Sequence, residues 1–268
     1  MKRENELLNA IKRYFSFKEG TSIYYYGTGF TAIEFADIFQ SGEKRVMDAP
    51  DMLVRKDNIA LIIEHFEFDS YRVTRKGSQN RREQSRIEGA EKERLLAGGE
   101  SCFSDVIHGS SSYQNYIQNV SLSFAEHYRQ INTYKKNLKA RGFISDSQVV
   151  RVLFFIEDTS PLGSVAADQS EGDLFVRPIC LGQCQEFLSL LQDSPDVNYV
   201  LACSTVGPDK IVWFIDRNEI FEYQKNAIDY SQMQFINFEP QVSGFQIQCP
   251  LRATAEGINA EIPKTLMN

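Results

Sequence analysis

Ten consecutive residues, Ile59-Ala-Leu-Ile-Ile-Glu-His-Phe-Glu-Phe68, constrain the fold more than any other stretch of the chain. The run is apolar and rich in strand-favouring side chains. It follows Val46 to Val54 and a turn at Arg55-Lys-Asp-Asn58, so the two segments read as a β-hairpin whose second strand is buried. A buried strand must be covered, and a carboxylate inside it, such as Glu64, must find a basic neighbour or a cation.

The rest of the sequence can supply that cover. The chain has 268 residues, 42% of them apolar, with 19 Phe, 12 Tyr and 1 Trp, which is enough for a large core and excludes chain-wide disorder. Leu7, Leu8, Ile11, Tyr14 and Phe15 fall on one helical face, with Glu4 and Glu6 early and Lys12 and Arg13 late, as the helix dipole favours. Ile23 to Tyr26 reads as a strand and Thr31 to Gln40 as a second helix. Leu122, Phe124, Tyr128, Ile131, Tyr134 and Leu138 are helix-spaced ahead of Gly142, and Val149 to Ile156 follows as a strand. Beyond it the pattern predicts a helix over Leu181 to Gln192 and strands at Tyr199 to Cys203, Ile211 to Ile215 and Ile220 to Tyr223, with a loosely held tail over the last 20 residues. The expected class is therefore α/β: a mixed β-sheet flanked by helices.

The chemistry turns on whether Asp51 and Glu64 share a face of the hairpin. A four-residue turn over Arg55 to Asn58, or a two-residue turn at Lys56-Asp57, sets Asp51 against Ile62 and makes Glu64 its diagonal same-face neighbour. Such neighbours lie about 7 Å apart at Cβ, within reach of one hard cation. Two carboxylates in a partly buried site repel unless one takes a proton or a divalent ion such as Mg²⁺ binds between them.

Pro50-Asp51, a 12-residue spacer and Glu64-His65-Phe66, set in the order helix, strands, helix, strand, resemble the PD-(D/E)XK nuclease superfamily over residues 20–158. The resemblance implies a restriction-endonuclease-like αβββαβ core at 1–158 with a C-terminal sheet extension, residues 159–268, belonging to the same α/β domain. It further implies hydrolysis of DNA or RNA phosphodiesters with Mg²⁺ or Mn²⁺ held by Asp51, Glu64 and, from the first core helix, Glu34. The motif's lysine position is Phe66. The basic group would then come from Lys76 or from Lys135, Lys136 or Lys139, or else the site binds nucleic acid or a protein partner without cutting.

Each of these residues also has a plainer reading. Thr31-Ala-Ile-Glu34 is a capping box, with Phe30 and Phe35 as its staple. His65 should point away from Glu64 and serve as a hydrogen-bonded core histidine. A one-residue bulge would instead bring His65, Glu67 and Asp69 onto the face of Asp51. His65, His108 and His127 have no zinc spacing.

Charge adds one more clue. The net charge is −7, but Ser70 to Leu96 holds eight Lys/Arg and four Glu, a net +4, which leaves −11 on the remainder. This basic stretch lies in an insertion over residues 70–112. In a nuclease it would offer Arg72, Arg75, Lys76, Arg81 and Arg82 to a phosphate backbone, and otherwise it is a solvated face. No run reaches the roughly 18 apolar residues of a membrane helix. The N-terminus lacks secretory-signal features, and five scattered cysteines suit reduced thiols, so the expected location is cytoplasmic.

Overall fold

The computed structural model describes residues 7, 9–11, 14, 22–27, 37–38, 40–74, 77–78, 82–83, 85–87, 89–90, 93, 102–106, 111–160, 164–168, 175–206, 209–236, 241–245, 251–254 and 257–260. They divide into two units: residues 1–73 with 110–238, and residues 74–109 with 239–268. In the first unit a seven-stranded mixed sheet is built from β1 (Ile23–Tyr26), β2 (Glu43–Val46), β3 (Met52–Lys56), β4 (Ile59–Phe68), β5 (Val149–Asp158), β6 (Tyr199–Val206) and β7 (Asp209–Asp216). Their order across the sheet is β1-β7-β6-β5-β4-β3-β2. The chain is thus α/β, with helices on the faces of a mixed sheet.

Strand direction follows connection length. The short links β2–β3, β3–β4 and β6–β7 give antiparallel pairs, whereas β4 and β5, joined through the helix α1 (Tyr113–Ala140), run parallel. β5 and β6 are also parallel, across a connection that contains the helix α2 (Gln185–Gln192). Ser112 caps α1 by accepting from the Asn115 N–H, and Gly142, at φ 69°, lets the chain leave it.

Period-two alternation in the central strands feeds two separate cores. Ala60, Ile62, Phe66 and Phe68 of β4 join Val152, Phe154 and Ile156 of β5 beneath Tyr116, Val120, Phe124, Ile131 and Leu138 of α1. Leu61 and Ile63, with Leu153 and Phe155, face the opposite way and meet Leu7, Ala10, Tyr14 and Ile38. The apolar run of β4 is therefore buried on both faces, which accounts for its composition.

Several expectations change. The segment expected as one strand from Val46 to Val54 is two, β2 and β3, closed by a Met47 N–H to Asp51 carbonyl hydrogen bond. Helix α1 starts at Tyr113, well before the first residue of the predicted stripe, and Leu122 is exposed. Ile220 to Tyr223 is not a strand but the body of a short helix, α3 (Ile220–Lys225), in which Ile220 and Tyr223, three apart, are the buried pair. The helix expected over Leu181 to Gln192 opens with a 3₁₀ turn before α2. In the second unit the strand Cys102–Val106 pairs with Gln241–Phe245, and Leu251–Thr254 pairs with Gly257–Ala260, where a loose tail was expected. Among the described residues no helix is long and apolar enough to cross a membrane.

Candidate metal-binding carboxylate sites

The β3–β4 hairpin turns at Asp57-Asn58, with Asp57 in the left-handed region at φ 51° and Lys56 paired with Ile59. This turn lies two residues from the expected register, so parity survives and the pairing moves. The last ladder pair, Met52 with Ile63, sets Asp51 directly opposite Glu64 rather than diagonal to it. Directly opposed residues have Cβ atoms about 5 Å apart. No bulge interrupts this ladder, so His65 and Glu67 lie on the other face of the sheet.

Asp51 holds its place through its side chain: Oδ2 accepts the His65 N–H at 2.7 Å. Desolvation first, and then the charge of Glu64, push its carboxyl up to about 6. Glu64 is buried under α1. Its Oε1 accepts from the Tyr134 hydroxyl at 2.9 Å and lies 2.8 Å from His127 Nδ1, while its buried Oε2 has no hydrogen-bond partner among the described residues. The His127 ring stacks on Phe66, with centroids 4.6 Å apart and planes 13° from parallel. Position 66 is thus filled by an aromatic ring lying against an imidazole.

An oxygen-only pair with one unsatisfied buried oxygen fits a hard dication. Such an ion would satisfy Glu64 Oε2 and offset the burial and the Glu64 charge that together raise Asp51. When bound there, such an ion would supply a fixed positive charge and an acidified water.

The opposite face carries a second group. His65 Nε2 lies 3.0 Å from Glu157 Oε2, and the ligand atoms of His65, Glu67 and Glu157 all fall within 4.8 Å of one another. The parallel β4–β5 register pairs Glu67 with Glu157. A third acid, Asp158, returns to the α1 face. Its Oδ1 accepts from the Ser160 N–H at 2.9 Å, its Oδ2 is buried with no hydrogen-bond partner among the described residues, and burial pushes its carboxyl up to about 6.

The other expected site residues are not gathered here. Glu34 and its capping box, with Arg75, Lys76 and Arg81, lie outside the described residues. Arg72 and Arg82 are exposed. Lys135 pairs with Asp196 and Lys139 with Asp146, so these two helix lysines are engaged elsewhere. Sequence reasoning missed His127, Tyr134 and Glu157 as neighbours of the β4 acids. His127 did carry a signal, since it is three residues from Phe124 and four from Ile131, inside the stripe that faces the sheet.

No protein-family model, curated protein or solved structure matches the chain.

Proposed function

We propose that this chain is a divalent-metal-dependent nuclease of restriction-endonuclease-like build, hydrolysing phosphodiesters of DNA or RNA at Asp51 and Glu64. The observation that carries the reading is Glu64 Oε2, a buried carboxylate oxygen with no hydrogen-bond partner among the described residues, opposed across the hairpin by Asp51, whose carboxyl is raised by burial and then by the Glu64 charge. The chain order also supports it: helical residues 37, 38, 40 and 41, the strands β2, β3 and β4, then α1 and the parallel strand β5. In this reading Asp51 and Glu64 hold Mg²⁺ or Mn²⁺. Tyr134 and His127 fix the Glu64 carboxylate, and His127, 2.8 Å from it, stands in for the motif lysine as a nitrogen base. Arg72, exposed beyond the end of β4, contacts the nucleic-acid backbone.

The test is cleavage of single- and double-stranded DNA and RNA with Mg²⁺, with Mn²⁺ and with chelator. Cleavage should need the ion and disappear in folded Asp51→Asn and Glu64→Gln chains. Equal cleavage by both variants and the parent refutes the reading.

One observation favours a second reading. Phe66, packed against His127 and 5.6 Å from Phe154, leaves the site without an ammonium at the motif position, as in a nuclease fold that binds nucleic acid or a protein without cutting. That reading expects metal-independent binding and no cleavage by the parent chain.

A further inference from the structure

We infer that His65, Glu67 and Glu157 form a second metal site, on the face of the sheet opposite Asp51 and Glu64, and that it takes a first-row transition dication of the Zn²⁺ class. The site is built by register. β4 and β5 run parallel with Glu67 paired to Glu157 and His65 to Phe155, so residues 65, 67 and 157 project from one face at the C-terminal ends of adjacent strands. Open α/β sheets present ligand sites at this end of their strands. The outcome is three ligand atoms, one imidazole nitrogen and two carboxylate oxygens, mutually within 4.8 Å.

Three features fit these residues to an ion. Like charges directly opposite one another across a strand pair are unfavourable, and here one of the two, Glu157, is 0% exposed. The imidazole is also held in place: its ring meets Phe155 edge-to-face at 5.2 Å, and its Nε2 points at Glu157. Glu67, half-buried, gives the ion a way in.

The donor set chooses the ion class. A nitrogen donor beside two carboxylates favours Zn²⁺, Mn²⁺ or Fe²⁺ over Mg²⁺ or Ca²⁺, which prefer oxygen alone. Three protein ligands leave a Zn²⁺ ion one position for water. The two faces should therefore differ in selectivity: an oxygen-only pair at Asp51 and Glu64, and a mixed triad behind them.

The experiment loads the full chain with Zn²⁺, removes excess by dialysis and measures bound metal in the parent and in Glu67→Gln, His65→Gln and Glu64→Gln, each checked for folding by circular dichroism. X-ray absorption on the parent reads the donor atoms without any substitution. The inference expects one tightly held Zn²⁺ with a nitrogen donor. It also expects affinity to fall more than about 100-fold in Glu67→Gln and His65→Gln, because changes one shell further out already cost 10–100-fold. Zn²⁺ should persist in Glu64→Gln. No retained Zn²⁺, an all-oxygen coordination sphere, or loss in Glu64→Gln with retention in Glu67→Gln would overturn it. The last outcome places the ion on the Asp51 face and leaves the nuclease reading standing, so the two proposals fail separately.

Discussion

Replacing Asp51 by Asn should flatten the pH dependence of stability. In the folded chain the Asp51 carboxyl is raised from 3.8 to about 6, chiefly by desolvation and then by Glu64. The unfolded chain releases this proton near 3.8 and the folded chain only near 6, so between these values the native state binds more protons and stability falls as pH rises. Roughly two pKa units correspond to about 3 kcal/mol, a ceiling because Asp51 is only half-buried and water screens part of the effect. The stabilisation is complete below about pH 3.8 and gone above about pH 6. Asn keeps a carbonyl oxygen for the His65 N–H and carries no charge to repel Glu64. Urea unfolding followed by circular dichroism, in chelator from pH 4 to pH 7.5, should show the parent losing about 1–3 kcal/mol more than Asp51→Asn. Asp158, also raised to about 6, is present in both chains and cancels in the comparison. Millimolar Mg²⁺ at pH 7.5 should stabilise the parent and leave Asp51→Asn nearly unmoved. Parallel pH profiles for the two chains would refute the argument that Glu64 and burial set the state of Asp51.

Three further substitutions probe the frame around the site. Tyr134→Phe removes a hydroxyl that donates to a buried carboxylate and should cost about 1.5–3 kcal/mol in urea unfolding. Gly182→Ala places a methyl against the Trp213 indole, where there is no room for it, and should cost about 1–3 kcal/mol, read as a lowered Tm. Ser112→Ala deletes the cap of α1 and should cost about 1 kcal/mol in the same assay.

The α/β class was legible because both of its signals are local. Ile59 to Phe68 has no polar alternation until Glu64, and a strand of this composition is stable only with both faces covered. The helix after the insertion announced itself through apolar spacing. What failed was the decision between periods in short segments. Ile220 to Tyr223 holds four residues, too few to separate a period of 2 from one of 3.6, and contact with the body of the protein makes it helical. The loop that splits β2 from β3 was hidden for a related reason. Met47 and Met52 are buried on either side of it, so the apolar pattern runs through a reversal of direction.

The candidate site was legible to the extent that parity reaches and no further. Parity alone placed Asp51 with Glu64 and sent His65 to the other face, and a register error of two residues left both results intact. Which groups complete each site depends on long-range pairing that parity does not encode. Glu157 meets His65 and Glu67 because β5 joins β4 in parallel with residue 157 level with residue 67, a register set by packing across 90 residues of chain. His127 and Tyr134 meet Glu64 because two turns of α1 cross directly over it. Position 66 ties these layers together. A lysine there would send an ammonium into the space where Phe66 now lies flat on the His127 ring. The aromatic in β4 and the imidazole in α1 therefore belong to one arrangement, in which a ring nitrogen reaches Glu64 from the helix. Any chemistry at Asp51 and Glu64 has to be built around that arrangement.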